Sequence, residues 1–277
     1  TTVTDVPVGS EFEQTDDYKS YQYGGAGSGL GSDANITTTD VTYGTTGKLG
    51  DAITFNGTSS YGNVGSSVSQ FNFCHKTDHK WSIAFWYKST NAPTGFETIF
   101  TTVSNSTTGN KGFLISAQTD RKFMIDMFDG GTPSPLDDQD TVDDIIPDDD
   151  WNFYVFTFDA TVGTYGQLNI YVNGNGSADD TLDYSASPDT TADASYLMWI
   201  GRRTTAGEKW LDGSLDEVSI WDRILTSGDI NNLYNSGTGA IATTIGYTDL
   251  KVYWNMNEAS SPVKNNAVGW VERGTAI

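Results

Sequence analysis

The segment WLDGSLDEVSIWDRILTSGDINNLY, Trp210–Tyr234, reads as a strand that runs into a short capped helix. From Ser214 to Ile220 the residues alternate. This predicts a β-strand with Asp216, Val218 and Ile220 on one face and Leu215, Glu217 and Ser219 on the other. Thr226 is placed as the helix N-cap, with Asp229 at the third helical position in a capping-box arrangement. Ile230, Leu233 and Tyr234 follow at i, i+3 and i+4 and make one apolar helix face, and Gly237 supplies the stop.

Working outward, short strands and turns fill the rest of the chain. The 277 residues allow one large β domain or two modest ones, and 8 Trp, 14 Tyr and 13 Phe supply a sizeable core. The remainder is rich in Thr, Ser, Gly, Asp and Asn, the composition of many strands joined by many turns. The expected class is all-β. A formal charge of −21 argues against nucleic acid, whose phosphates need a basic footprint, and against an anionic membrane surface. It fits a solvated acidic surface, calcium binding, or a neutral or cationic partner.

One cysteine excludes an intrachain disulfide. Sequons at Asn35, Asn56, Asn105 and Asn175 give weak support for an exposed, glycosylating compartment. No signal peptide or transmembrane run is legible and the chain begins on Thr1, so a processed or trimmed N-terminus is expected.

Strands are expected at 52–56, 61–64, 81–87, 97–103, 112–116, 122–128, 151–158, 167–173 and 196–200. Ile83, Phe85 and Tyr87 share one face of the third, and Trp86 lies opposite, on a groove or in a second core layer. The run at 151–158 is almost continuously apolar and should be central, buried on both faces. Asn173-Gly174 signals a hairpin after 167–173. About a dozen short strands in one domain favour a two-sheet jelly roll.

The two ends read as one β-hairpin module, 1–24 with 266–277. Its strands are Lys19–Tyr23 and Gly269–Gly274, and a domain at 25–265 is inserted between them after the glycine-rich run Gly24–Gly31. Two merely frayed termini are the alternative. The joined segment resembles a short module of viral structural proteins, of the form EETDTRKxYxYxG…WVExG, through Glu13, Thr15, Asp16, Lys19, Tyr21, Tyr23, Trp270, Val271 and Glu272. The position after Thr15-Asp16 departs from that pattern by lacking its basic residue.

A longer series runs GKLGDAITFNGTSSYGNVG at 47–65, WSIAFWYKS at 81–89, WNFYVFTFD at 151–159, LNIYVNGN at 168–175, LMWIGR at 197–202 and LDGSLDEVSIWDRILTSGDINNLYNSG at 211–237. In this order it resembles the LamG-like jelly rolls of the concanavalin A-like lectin/glucanase superfamily, relatives of the pentraxins, over roughly residues 30–258. The resemblance implies a two-sheet antiparallel sandwich with one short helix near the C-terminal end. That family usually opens with a strand of the type LVxYWxFxE. Here LKVYWNMNE, Leu250–Glu258, stands near the C-terminus and would lie beside the last strand from the other end of the sequence.

The superfamily's glucanases carry Glu-x-Asp-x-x-Glu on one strand for retaining hydrolysis, a motif this chain lacks. Asp216, Glu217 and Asp222 come nearest, but simple alternation sets Glu217 opposite Asp216. His75 and His79 have no Ser or Cys nucleophile arrangement, so no enzyme is expected. The pentraxin Glu-Gln-x-Asp calcium cluster is replaced by Arg202-Arg-Thr-Thr-Ala-Gly-Glu208. The resemblance instead nominates Asp216, Asn257 and Glu258 as hard oxygen ligands of a structural calcium ion. The alternative for Asp216 is a buried carboxylate accepting backbone N–H groups.

The acidic stretch Leu136–Asp150 lacks EF-hand spacing and reads as a solvated loop; Cys74, His75 and His79 read as packing rather than zinc ligands. Core positions are expected for Trp86, Trp151 and Trp221. Trp210, flanked by Lys209 and near Arg202 and Arg203, lies at the rim where relatives bind ligands and is the expected glycan platform.

Together these readings point to a non-catalytic, surface-displayed lectin-like domain, extracellular on a virion or cell surface. Its expected partners are glycans or a cell-surface receptor, with homo-oligomeric assembly through the terminal hairpin and no membrane insertion. The alternatives are a purely structural coat, capsid-decoration or fibre subunit without a glycan site and, less favoured, a glycoside hydrolase.

Overall fold

β-Branched and aromatic residues in period-two runs make strands because they pack on a pleated surface, while Gly, Asn and Asp take the turns. The chain is seen in a computed structural model that describes residues 11–14, 19–23, 29–76, 78–93, 95–104, 109–131, 138–142, 144–147, 149–184, 192–203, 209–267 and 270–275. For 11–14, 19–23, 31–32, 138–139 and 270–275 the description covers the backbone only. The sequon at Asn105, residues Thr15-Asp16, Gly269, Glu208 and most of the run Gly24–Gly31 lie outside the described residues.

The strands in chain order are β1 (Glu11–Gln14), β2 (Lys19–Tyr23), β3 (Ile36–Thr39), β4 (Thr42–Thr46), β5 (Asp51–Asn56) and β6 (Tyr61–Val64). Then come β7 (Lys80–Ser89), β8 (Glu97–Thr101), β9 (Lys111–Gln118), β10 (Lys122–Asp129), β11 (Asp138–Asp140) and β12 (Asn152–Asp159). The chain continues with β13 (Gln167–Val172), β14 (Asp180–Asp183), β15 (Met198–Ile200), β16 (Asp212–Trp221), helix α1 (Ser227–Tyr234), β17 (Leu250–Trp254) and β18 (Trp270–Thr275).

Two antiparallel sheets form a concanavalin A-like jelly-roll sandwich. One runs β11-β10-β9-β8-β15-β6-β3; the other runs β14-β13-β12-β7-β16-β5-β4, with β17 added on β16. One edge of β16 follows β7, and the other is shared by β5 at Asp212–Leu215 and β17 at Val218–Trp221. Leu250–Trp254 thus lies beside β16, as the family resemblance implies. A third, three-stranded sheet joins both chain ends, with β2 between β1 and β18 and Trp270 opposite Tyr23.

Between the sheets, Phe85 meets Phe100, Phe123, Tyr154 and Phe156 at ring-centroid distances of 5.4, 6.5, 5.8 and 5.7 Å. Phe100 and Phe123 come from one sheet and the other three rings from its partner, so this aromatic knot sews the layers together. Strand β12 is buried on both faces, as its apolar run predicts: Tyr154, Phe156 and Phe158 enter the inter-sheet core and Phe153 and Val155 the opposite side. That opposite side is a second apolar layer under α1. Trp86 belongs to it, fully buried and stacked on Tyr234 at 5.8 Å, as does Trp221; Trp151 is only half-buried at its margin.

Four expectations are corrected. Simple alternation fails in β16, where a bulge between Asp216 and Ser219 inserts a residue and Glu217 takes φ 51°. Leu215 therefore joins Val218 and Ile220 in the inter-sheet core. Asp216, opposite Trp86, and Glu217, bonded to Tyr253, both face the helix layer. The helix carries its full capping box but ends on Asn235 in the left-handed conformation, not on Gly237. Part of the acidic stretch is strand β11 rather than loop. Asn173 and Gly174 do take positive φ in a tight turn, yet β14 begins only at Asp180, after a longer excursion than a two-residue hairpin.

Truncation of Phe85 to Ala should cost about 3–5 kcal/mol, because a ring bridging both sheets leaves a cavity that neither can close. Urea denaturation of wild type and variant measures it.

Candidate functional site

Three segments meet at one end of the sandwich. Strand β5 ends on Asn56, whose Oδ1 accepts N–H bonds from Thr58 (3.0 Å), Ser59 (2.9 Å) and Ser60 (3.1 Å) and so shapes the turn into β6. Gly57 has φ 70° there, and its N–H donates to the Leu211 carbonyl at 2.8 Å. The chain into β8 brings Gly95, Phe96 and Glu97; the chain into β16 brings Lys209, Trp210 and Asp212. The Thr98 N–H donates to the Lys209 carbonyl (3.0 Å) and the Asp212 N–H to Glu97 Oε2 (3.1 Å), which locks the two segments.

The result is an open groove of about 360 Å³, walled by Phe96 and Trp210 with Asn56, Thr58, Glu97, Lys209 and Asp212 around them. Burial pushes the Glu97 carboxyl up to about 7 against the pull of the Asp212 N–H, and the Asp212 charge adds to the rise. Near neutral pH this group can both donate and accept a hydrogen bond.

Beside Trp210, the Arg202 guanidinium lies over three rings: Tyr61 at 3.9 Å, Trp199 at 4.1 Å and Trp210 at 5.3 Å. Tyr61 and Trp199 stack on one another at 5.3 Å. Arg203 and Lys209 lie 5.8 and 5.3 Å from the Phe96 ring. The structure therefore gathers Arg202, Arg203, Lys209 and Trp210 at a single rim. Sequence reading missed Tyr61, Phe96, Glu97, Trp199 and Asp212. Trp199 was within reach, since it alternates with the inward Met198 and Ile200, but Glu97 and Asp212 meet only through the pairing of distant segments.

The three nominated calcium ligands fare differently. Asp216 Oδ2 accepts the N–H groups of Lys48 (2.7 Å) and Leu49 (2.9 Å), and Oδ1 accepts that of Glu217 (2.8 Å). Asn257 Oδ1 accepts the Asp51 N–H at 2.7 Å, on the same turn. Glu258 Oε1 accepts the Lys264 N–H at 2.9 Å, and its buried Oε2 has no hydrogen-bond partner among the described residues. N–H donors already occupy both Asp216 oxygens and Asn257 Oδ1, so these residues do not fit a calcium cage. Asp216 and Asn257 grip a turn instead. Among the described residues no group of three or more His, Cys, Asp or Glu could hold a metal. Cys74 and His75 are fully buried, and His79 stacks on Phe158 at 4.9 Å.

The β16 bulge puts the Asp216 and Glu217 carboxylates on one face, where alternation separates them, but both are buried (0 % and 5 % exposed). Burial raises Asp216 to about 7 despite its three N–H partners. It raises Glu217 to about 8, opposed by the Tyr253 hydroxyl at 2.6 Å and reinforced by the Asp216 charge. Glu217 Oε1 has no hydrogen-bond partner among the described residues. Neither carboxylate opens on the groove.

A family model described as the concanavalin A-like lectin/glucanases superfamily matches residues 56–231, more than half of the chain. The chain belongs to this superfamily. A search of curated proteins finds no match. Among solved structures, the binding domain of botulinum neurotoxin DC in complex with SialylT aligns with TM-score 0.52 at 16% identity, over 74% of this chain and 47% of that one. A botulinum neurotoxin type C structure, described by its interaction with two ganglioside molecules, aligns with the same four values. The serotype D binding domain aligns with TM-score 0.53 at 15% identity, over 75% and 47%. The chain thus spans about half the length of these structures, and at such identities the likeness is one of fold. Among the described residues no helix is long and apolar enough to cross a membrane.

Two outcomes follow. Chelation with EDTA should leave the melting temperature of the purified chain unchanged, since Asp216 and Asn257 hold their turn through N–H groups rather than through an ion. Glu217→Gln should stabilise the protein more at pH 8 than at pH 5. The folded pKa lies above the unfolded value of 4.5, so the folded state holds its proton longer and stability falls as pH rises through that window. The slope is at most about 1.4 kcal/mol per pH unit for one group. Because Asp216, Tyr253 and Asp51 face the same region, the readout is the variant-minus-wild-type difference in melting temperature across pH.

Proposed function

We propose that this chain is a non-catalytic glycan-binding module, displayed on an exterior surface such as a virion or a cell, and that its site is the groove between Phe96 and Trp210. One observation carries the reading: two aromatic walls, one of them 36 % exposed, stand beside a ring of hydroxyl-binding groups, Asn56, Thr58, Glu97 and Asp212. Sugar rings present an apolar C–H face to aromatic rings and hydroxyls to acceptors at the edge, and pockets of a few hundred Å³ suit small ligands. Membership of a superfamily that includes lectins supports the class of ligand, and the relatives described with SialylT and gangliosides are compatible with it.

Catalysis has less support. The superfamily's three-carboxylate strand motif is absent from the sequence, and the bulge carboxylates of β16 are covered by the helix layer. The pairing of β2 with β18 supports a division into a terminal module, 1–24 with 266–277, and an inserted jelly roll at 25–265. In that arrangement the terminal module would serve attachment to a larger assembly or to further copies of the chain.

Trp210→Ala should weaken glycan binding at least about tenfold, equivalent to ~1.4 kcal/mol, while the melting temperature stays near wild type. A glycan array followed by calorimetry on the best ligand measures both. A wild-type chain that binds nothing on the array would sink the proposal.

A further inference from the structure

In a chain of 36 acidic and 15 basic side chains, a cation finds a carboxylate with ease. Lys80 pairs with Asp159 at 2.8 Å, Arg223 with Asp229 at 2.8 Å and Lys251 with Asp222 at 3.2 Å. Arg202 departs from this pattern. Among the described residues it has no carboxylate partner, and its buried Nε has no hydrogen-bond acceptor. Its contacts are the rings of Tyr61, Trp199 and Trp210, all within 5.3 Å.

Aromatic contacts occupy the face of a guanidinium and leave its N–H edge, which lies in the plane, without acceptors. Contact with three rings also restricts the side chain, so less of its freedom remains to be lost when an anion arrives. Lys209 adds a second cation, an ammonium that has no carboxylate among the described residues and sits over Phe96 at 5.3 Å. Among the described residues, two cations without a carboxylate partner thus flank Trp210 on a molecule of charge −21.

We propose, building on the glycan-binding reading above, that the groove selects an acidic glycan. The sugar ring lies on Trp210, and its carboxylate or sulfate is held by the edge of Arg202 with Lys209 as a second charge. The planar fork of Arg202 matches the paired oxygens of either group. Asp212 and Glu97 in the groove, and the net charge around it, disfavour a polyanion. The ligand is therefore a glycan with one or few acidic groups, not a densely sulfated chain.

The test is an array of matched oligosaccharides, each printed neutral, carboxylated and sulfated, with heparin as the polyanion. It is probed with the full chain, with Arg202→Gln, and with Lys264→Gln, which removes one charge outside the groove. Wild type should prefer acidic members by about tenfold, the usual scale of a charge-assisted contact, and Arg202→Gln should bring that ratio toward one while Lys264→Gln preserves it. The carboxylated and sulfated arms identify the acid.

Should Arg202→Gln misfold, wild type is titrated instead from about 0.1 M to about 1 M salt, where an ionic preference collapses. Equal binding of neutral and acidic members, a preference insensitive to both the variant and salt, or a preference for heparin overturns this inference and leaves glycan binding standing. Binding to no glycan overturns the underlying reading as well.

Discussion

The carboxylate of Asp216 anchors the turn that leads into β5. It takes three backbone N–H groups, two from the Gly47–Asp51 turn and one from its own strand, in a fully buried position. Without it those donors would be stranded, each at a cost of about 1–3 kcal/mol. The approach is so close that the turn must be glycine-built. A Cβ on Gly47 would lie 2.7 Å from Asp216 Oδ2, and one on Gly50, which has φ 74°, would lie 2.5 Å from Asn257 Oδ1. The turn leads directly into β5, so the grip sets where β5 lies on β16. Asn56 at the end of β5 pairs with Asp212 at the start of β16, and both reach the groove.

The bulge next to Asp216 has two consequences. It returns Val218 and Ile220 to the inter-sheet core after Leu215, and it sends Asp216 and Glu217 together into the helix layer. A strand with strict alternation could satisfy the core or the clamp, but not both. The arrangement leaves a raised, partly unpartnered Glu217 beside the buried clamp. The price is a stability that falls as the medium becomes more alkaline.

At the groove the balance of forces differs. Trp210, Trp199, Tyr61 and Phe96 are kept partly in contact with water, and cations lie over them. Arg202 serves as packing material for three rings, and among the described residues it has no carboxylate partner. The site is therefore built on rigid strand ends, with ring and charge positions set by the sandwich itself.

Much of this was legible in the chain. The period-two runs located most strands, the apolar run at 151–158 marked the central one, and Thr226 with Asp229 marked the helix start, because these signals depend on neighbours within a turn or a strand. Asp216 stood out only as a choice between a metal ligand and a carboxylate for backbone donors. Deciding it required knowing that the 47–51 turn arrives 165 and more residues away in sequence. Short edge strands such as β3, β4 and β14 were missed because their residues, rich in Thr and Asp, become strands only by hydrogen bonding to a neighbour already in place. By itself the sequence determined the superfamily fold, the helix cap and the four residues of the basic aromatic rim. The tertiary structure decided the bulge, the donors around Asp216 and the meeting of Glu97 with Asp212, since each depends on which distant backbone groups come within hydrogen-bond reach.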